Sequence, residues 1–300
     1  MTAAIEVVAL RAANRERTVL DGVSFVAPWR AVTGFVGVNG AGKTTTLRRI
    51  VGLERAPRCR GGVARVAGLP YAELVEPLAV IGYCPDVLGA APGQTATQHL
   101  RALAARVGVG DAAVRRALAE VGLAGATGRI RTFSLGMRRR LAIAGALLPD
   151  PRVLVLDEPF DGLDPAGRRW LLERLRAHAD DGGAVLLSAH ALDEIEPLLD
   201  RVVCLHAGRV RFEGATDELL RSHAAPVVLV RSVDQPRLAA ALRGAGAVVH
   251  GRGGGALAVR GVGAIEIARV AARSGVLVTE LTPRRTTLSA AFGAATGALE

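Results

Sequence analysis

The sequence predicts an α/β chain of two unequal parts, on three observations: a strand, glycine turn and helix across 31–50, an apolar strand ending in two carboxylates at 153–158, and a β-α-β-β-α-β alternation after Gly214. Three hundred residues can hold one large α/β domain or two unequal ones, and an apolar half of the composition can bury a sizeable core.

The first junction is the most informative. Ala31-Val-Thr-Gly-Phe-Val36 reads as a short buried strand and Thr44-Thr-Thr-Leu-Arg-Arg-Ile50 as the opening of a helix. Between them Gly37-Val-Asn-Gly-Ala-Gly-Lys-Thr44 fits the phosphate-loop pattern G-x-x-x-x-G-K-[ST]. Lys43 is the only lysine in the chain, every other basic position being arginine. A compact ammonium on a thin stem can thread a tight loop and touch two phosphates as a point charge, whereas a flat guanidinium suits planar bidentate partners. Gly37, Gly40 and Gly42 let backbone N–H groups curl around β- and γ-phosphates, where the helix N-terminus adds about half a positive charge. Asn39, Gly40, Ala41, Gly42, Lys43, Thr44 and Thr45 are the expected nucleotide contacts, with the Thr44 hydroxyl facing Mg²⁺.

Residues 87–150 read as a helix-rich insert: Thr95 to Val107, then Asp111 to Val121 with Asp111 as N-cap, then a helix after Ser134. Val153-Leu-Val-Leu-Asp-Glu158 has the form of a buried parallel strand whose carboxyl end meets a ligand. Asp157 is expected to hold Mg²⁺ beside Thr44, and Glu158 to polarise an attacking water, a task worth about 10²–10⁴ in rate. Past Gly214, strands at Pro226–Ser232, Ala247–His250, Ala256–Arg260 and Val276–Leu281 alternate with helices at Gln235–Arg243 and Ala264–Arg273, a split βαβ arrangement with Gly251-Arg-Gly-Gly-Gly255 as the central hairpin.

Composition excludes several classes. No run approaches the roughly 18 to 20 apolar residues of a membrane span, and the start lacks the basic-then-apolar order of a signal peptide, so a cytoplasmic location is expected. Cys59, Cys84 and Cys204 form no C-x-x-C pair and read as reduced buried thiols. The net charge of +10 fits either a polyanion partner or a compositional bias toward arginine. The arginines are dispersed, which favours the second and makes nucleic acid an unexpected partner.

Four segments together carry a resemblance: the phosphate loop, Phe133-Ser-Leu-Gly-Met-Arg-Arg-Arg-Leu141, Leu156-Asp-Glu-Pro-Phe-Asp-Gly-Leu-Asp-Pro165 and Ser188-Ala-His190. In kind, order and spacing they resemble the ATP-binding subunits of ABC transporters, and the form FSLGM is similar to exporters grouped with the daunorubicin and bacitracin resistance ATPases. The resemblance covers about residues 1–215 and implies a P-loop NTPase cassette with a RecA-like core, an antiparallel β subdomain and a helical subdomain at about 87–150. A small ferredoxin-like α+β domain at 216–300 follows. It implies ATP and Mg as cofactors, hydrolysis to ADP and phosphate, and a head-to-tail homodimer in which each ATP meets one subunit's loop and the other's Ser134 and Gly136. Asp164 would bridge the subunits and His190 would contact the γ-phosphate and help fix Glu158. The helical insert would grip a separate transmembrane permease through an apolar groove near Asp86, so the chain would sit peripherally at the inner face of the membrane and serve export of a drug-like or other small molecule.

The sequence departs from that pattern at four places. Asn14 stands where an adenine-stacking ring is common, and Pro28-Trp-Arg30 replaces a glycine turn, with Trp29 as a nearby ring. Asp86 replaces a glutamine or glutamate that contacts the Mg²⁺ water, keeping an oxygen ligand at shorter reach and so staying among the expected catalytic and metal-contacting residues, and Leu135 and Met137 replace a glycine and a glutamine of the commonest signature. Arg138, Arg139 and Arg140 read either as a solvated basic face or as phosphate-side electrostatics.

Overall fold

A computed structural model describes residues 3–14, 17–54, 59–190, 192–223, 227–252, 255–284 and 287–297. Contacts divide the chain into two compact units, Met1–Thr216 and Asp217–Glu300. Among the described residues no helix is long and apolar enough to cross a membrane.

In the first unit, β1 (Ile5–Asn14) and β2 (Arg17–Ala27) form an antiparallel pair, joined later by β4 (Cys59–Val66) and β5 (Leu69–Pro70) in the order β2-β1-β4-β5. Burial along β2 largely alternates, as expected of a sheet with one face on a core. The second sheet is built differently. Its strands are β3 (Ala31–Gly37), β6 (Ile81–Cys84), β7 (Val153–Leu156), β8 (Ala184–Ala189), β9 (Arg201–His206) and β10 (Arg209–Ala215), in the order β10-β9-β3-β8-β7-β6. All pairs are parallel except β9 with the edge strand β10. Every residue of β3, β7 and β8 is buried, because a parallel sheet is covered on both faces.

The helices are α1 (Lys43–Ile50), α2 (Pro77–Val80), α3 (Ala96–Val107), α4 (Asp111–Glu120), α5 (Leu135–Leu147), α6 (Pro165–Asp180) and α7 (Leu192–Ile195). One core joins both sheets and α1: Phe25 stacks on Phe35 with ring centroids 5.0 Å apart, among Ile5, Leu10, Leu20, Leu47 and Ile50. Helix α5 lies close against β6. A Cβ on Gly82 would stand 2.1 Å from the Ala146 carbonyl oxygen, so only glycine permits that approach.

Two local expectations need correction. Gly110, not Asp111, occupies the N-cap of α4; Asp111 is the first helical residue and forks onto Arg101 at 2.9 and 2.6 Å. Thr95 is itself the cap of α3, in a capping box with Gln98. At Pro28-Trp-Arg30 the turn keeps the left-handed conformation that suits glycine, with Arg30 adopting it at φ 58°. Its guanidinium donates to the Asp180 carbonyl at 2.9 Å and its N–H to the Gly183 carbonyl at 2.7 Å, contacts that hold the strained residue.

In the second unit, which α8 (Thr216–His223) leads into, come β11 (Val227–Ser232), α9 (Gln235–Gly244), β12 (Val248–Arg252), β13 (Ala256–Arg260), α10 (Ala264–Arg273), β14 (Val278–Arg284) and α11 (Leu288–Thr296). The sheet order β12-β13-β11-β14, antiparallel throughout, is the ferredoxin-like arrangement. Its core packs Val228, Val230, Leu257 and Val259 against Leu238, Leu242, Ile267 and Val270. Pro226 and two glycines of the central hairpin, Gly253 and Gly254, lie outside the described residues.

Candidate nucleotide site

The loop between β3 and α1 builds the site. Gly42 caps α1 at φ 110° and offers no side chain to its N-terminal N–H groups, which leaves them for a ligand. A Cβ there would also stand 2.5 Å from Leu20 Cδ2, so conformation and space both require glycine. Lys43 is buried, and its Nζ donates to the Gly37 carbonyl at 2.7 Å and meets Glu158 Oε1 at 3.2 Å. A cavity of about 250 Å³ opens here, lined by Val19, Val38, Asn39, Gly40, Gly42, Lys43, Thr44, Thr45, Asp86 and Glu158. Ala41, in the same loop, is buried and is not among the lining residues.

The carboxyl end of β7 delivers the acids. Asp157 is fully buried, and its Oδ1 accepts a 2.7 Å hydrogen bond from Ser188 Oγ on β8. Its Oδ2 has no hydrogen-bond partner. Burial pushes this carboxyl up, against the pull of the nearby Ser188 and Thr44 hydroxyls. An orphaned buried carboxylate oxygen beside a threonine hydroxyl fits the hard-oxygen ligand set of a divalent cation such as Mg²⁺. Ser188 also accepts from the Glu158 N–H at 2.9 Å. That bond helps hold Glu158 at φ 48°, a conformation that costs a non-glycine residue on the order of 1 kcal/mol. Glu158 Oε2 lies 3.0 Å from Nδ1 of His190, which follows the end of β8, so one carboxylate is bracketed by an ammonium and an imidazole.

Other residues singled out in the sequence lie elsewhere. Ser134 caps α5, its Oγ accepting from the Met137 N–H at 3.2 Å, and is exposed. Gly136 faces the Gly162 carbonyl, 2.7 Å from where a Cβ would sit. Asp164 caps α6 and accepts from Arg140 Nη2 at 2.6 Å, which holds its carboxyl below the usual range. None of these three lines the phosphate-loop cavity. Asn14 pairs with Arg17 at the end of the β1–β2 ladder, and of these two strands only Val19 lines the cavity. Trp29 precedes β3, the length of a strand from the loop, on the order of 20 Å. The Arg152 guanidinium covers its ring at 4.7 Å, so it serves packing rather than base stacking.

The three arginines after the signature are not one face. Arg138 is exposed, but Arg139 is buried and bonded to Asp86 Oδ1 at 3.1 Å, while Arg140 joins Asp164 to the Val121 carbonyl. Sequence reasoning gave Ser188, Arg139 and Arg140 no contacts of this kind. Ser188 carried a signal, being a polar residue at the end of a wholly apolar run. A second cavity of about 470 Å³ lies between β6, α3 and α5, lined by Leu78, Tyr83, Val87, Leu88, Leu103, Leu141 and others. It is the apolar groove expected beside Asp86.

Comparison with known proteins gives the same reading. A family described as "ABC transporter" matches residues 20–161, and a domain of unknown function matches residues 226–289. The uncharacterized ABC transporter ATP-binding protein YhcH of Bacillus subtilis is 37% identical over 65% of this chain and 65% of its own length. The daunorubicin/doxorubicin resistance ATP-binding protein DrrA of Streptomyces peucetius is 37% identical over 81% of this chain and 74% of its own. The Nod factor export ATP-binding protein I of Paraburkholderia xenovorans is 38% identical over 73% of each. A solved structure described as an ATP-binding subunit of an ABC transporter superposes with a TM-score of 0.66 at 33% identity, covering 73% of this chain and 92% of that one. With the phosphate loop, the paired carboxylates and the exposed signature cap all in place, the chain belongs to the ATP-binding proteins of ABC transporters.

Proposed function

We propose that this chain is an ATP-hydrolysing subunit that dimerises on nucleotide and drives a separate membrane permease, exporting a drug-like or other small molecule. The observation that carries the reading is Glu158, held between Lys43 at 3.2 Å and His190 at 3.0 Å at the mouth of the loop. Lys43 is placed to give its charge to incoming phosphates, which frees Glu158 Oε1 to accept a proton from an attacking water. His190 orients that carboxylate through Nδ1 and is exposed on its other side, where a γ-phosphate would lie. Thr44 and the unpartnered oxygen of Asp157 would hold Mg²⁺, which when bound would neutralise charge on the phosphate oxygens. Asp86 lines the same cavity and is the third oxygen side chain assigned to this group.

Ser134, Gly136 and Asp164 stand off the loop's own cavity, which supports a site completed by a second copy. The apolar groove suits a short amphipathic helix of a permease lying at the membrane's inner face. The organisation proposed is a cassette at 1–215 and an accessory domain at 216–300, with cytoplasmic location and no nucleic-acid partner. Glu158→Gln tests the reading: ATP binding persists, turnover falls by about 10²–10⁴ and dimers accumulate, measured by phosphate release and gel filtration. Unchanged turnover rejects Glu158 as the base.

A further inference from the structure

Arg139 is buried at the site with no task in the chemistry above. Its side chain is 4% exposed and makes four hydrogen bonds: Nε to the Asp161 carbonyl at 3.4 Å, Nη1 to the carbonyls of Pro85 at 3.0 Å and Asp157 at 3.2 Å, and Nη2 to Asp86 Oδ1 at 3.1 Å. These acceptors belong to three stretches of chain: the segment after β6, the end of β7 and the turn before α6. Five N–H donors in one rigid plane can fix three segments in a common geometry, which three donors on a flexible lysine stem cannot. A buried cation is costly unless paired, and Asp86 is the carboxylate it pairs with. Asp86, with its side chain half exposed, lines the phosphate-loop cavity, so without its partner it would be free to change rotamer there.

We propose that Arg139 is a positioning residue for ATP hydrolysis. From the helix that begins at Ser134 it pins the Asp86 carboxylate at the rim of the phosphate-loop cavity and ties residues 85–86 to the Asp157–Asp161 turn. The proposal rests on the reading of an ATP-hydrolysing site and adds a link to it. Ser134 and Arg139 share α5, so a shift of that helix on engaging a second copy's nucleotide carries Asp86 with it.

The experiment compares the full chain with Arg139→Met, Arg139→Lys, Asp86→Asn and the Arg139→Met/Asp86→Asn double variant. In nucleotide-free protein, hydrogen exchange at the Asp157 and Asp161 amides, which donate to the Cys84 and Glu158 carbonyls, rises about tenfold or more in Arg139→Met and less in Arg139→Lys. In steady-state hydrolysis, kcat of Arg139→Met falls about tenfold or more while KM for MgATP moves less than about threefold, and the double variant loses no more than the worse single one. Unchanged exchange at the Asp157 and Asp161 amides, losses that multiply in the double variant, or wild-type kcat in folded Arg139→Met overturns the proposal. A wild-type chain that does not hydrolyse ATP defeats the proposed function instead, and the exchange measurement still judges the pin. Should Arg139→Met fail to fold, Arg139→Lys and Asp86→Asn carry the same comparison.

Discussion

Helices α1 and α5 both begin at a candidate site residue, and their first turns are furnished in opposite ways. Helix α1 starts behind Gly42, with no capping side chain, inside a concavity where Lys43, Thr44 and Glu158 already converge. Helix α5 starts behind Ser134, whose hydroxyl already caps the Met137 N–H, and presents that end to solvent with Leu135 65% exposed. The first is a concavity whose walls come from this chain. The second has donors and a dipole but no walls of its own.

That contrast can be broken by experiment, the largest effect first. Lys43→Ala removes the ammonium from the pocket and is expected to weaken MgATP binding at least about a hundredfold, since charged hydrogen bonds to two phosphates contribute about 3 kcal/mol or more. Calorimetry reads it, and normal affinity would mean that α1 does not seat the phosphates. Ser134→Arg is expected to leave nucleotide affinity within about threefold while hydrolysis drops about tenfold or more and the ATP-dependent dimer is lost on gel filtration. Equal losses of binding in both variants would erase the distinction between pocket and half-site.

Smaller effects sharpen it. Burial pushes the Cys84 and Cys204 thiols up to about 12, so peptide mapping after alkylation near pH 8 should find both unmodified until the chain is unfolded. Labelling of Cys84 in folded protein would mean that β6, beside the pocket, opens readily. The least effect concerns Asp164. Because Arg140 depresses its carboxyl, its contribution to stability is present above the ordinary aspartate pKa of about 3.9 and is lost as pH falls through the lower folded value. Thermal unfolding of Arg140→Met should therefore differ from that of the parent chain at neutral pH and converge with it in acid.

How much of this was legible in the sequence depends on the range of the interaction. The split βαβ tail was readable because each strand and helix announces itself by its own period, and the sheet order follows from that sequence of elements. Asp111 was misplaced by one position because the rule for caps names residue types, whereas Gly110 holds the backbone angles. The basic run was misjudged further. Three adjacent arginines look alike in sequence, yet on a helix they point 100° apart, so Arg138 meets solvent, Arg139 the interior and Arg140 the cap of α6.

By itself the sequence determined the phosphate loop, the acids Asp157 and Glu158 and the signature helix start, because each is a local pattern in which backbone and side chain act within a few residues. Only the tertiary structure decided that Glu158 also meets Lys43, that Ser188 spans two carboxyl ends, and that Arg139 seals Asp86 to the acid strand. Those contacts join residues 18 to 115 positions apart. They exist because parallel strands bring distant carboxyl ends to one edge, a placement no local periodicity encodes.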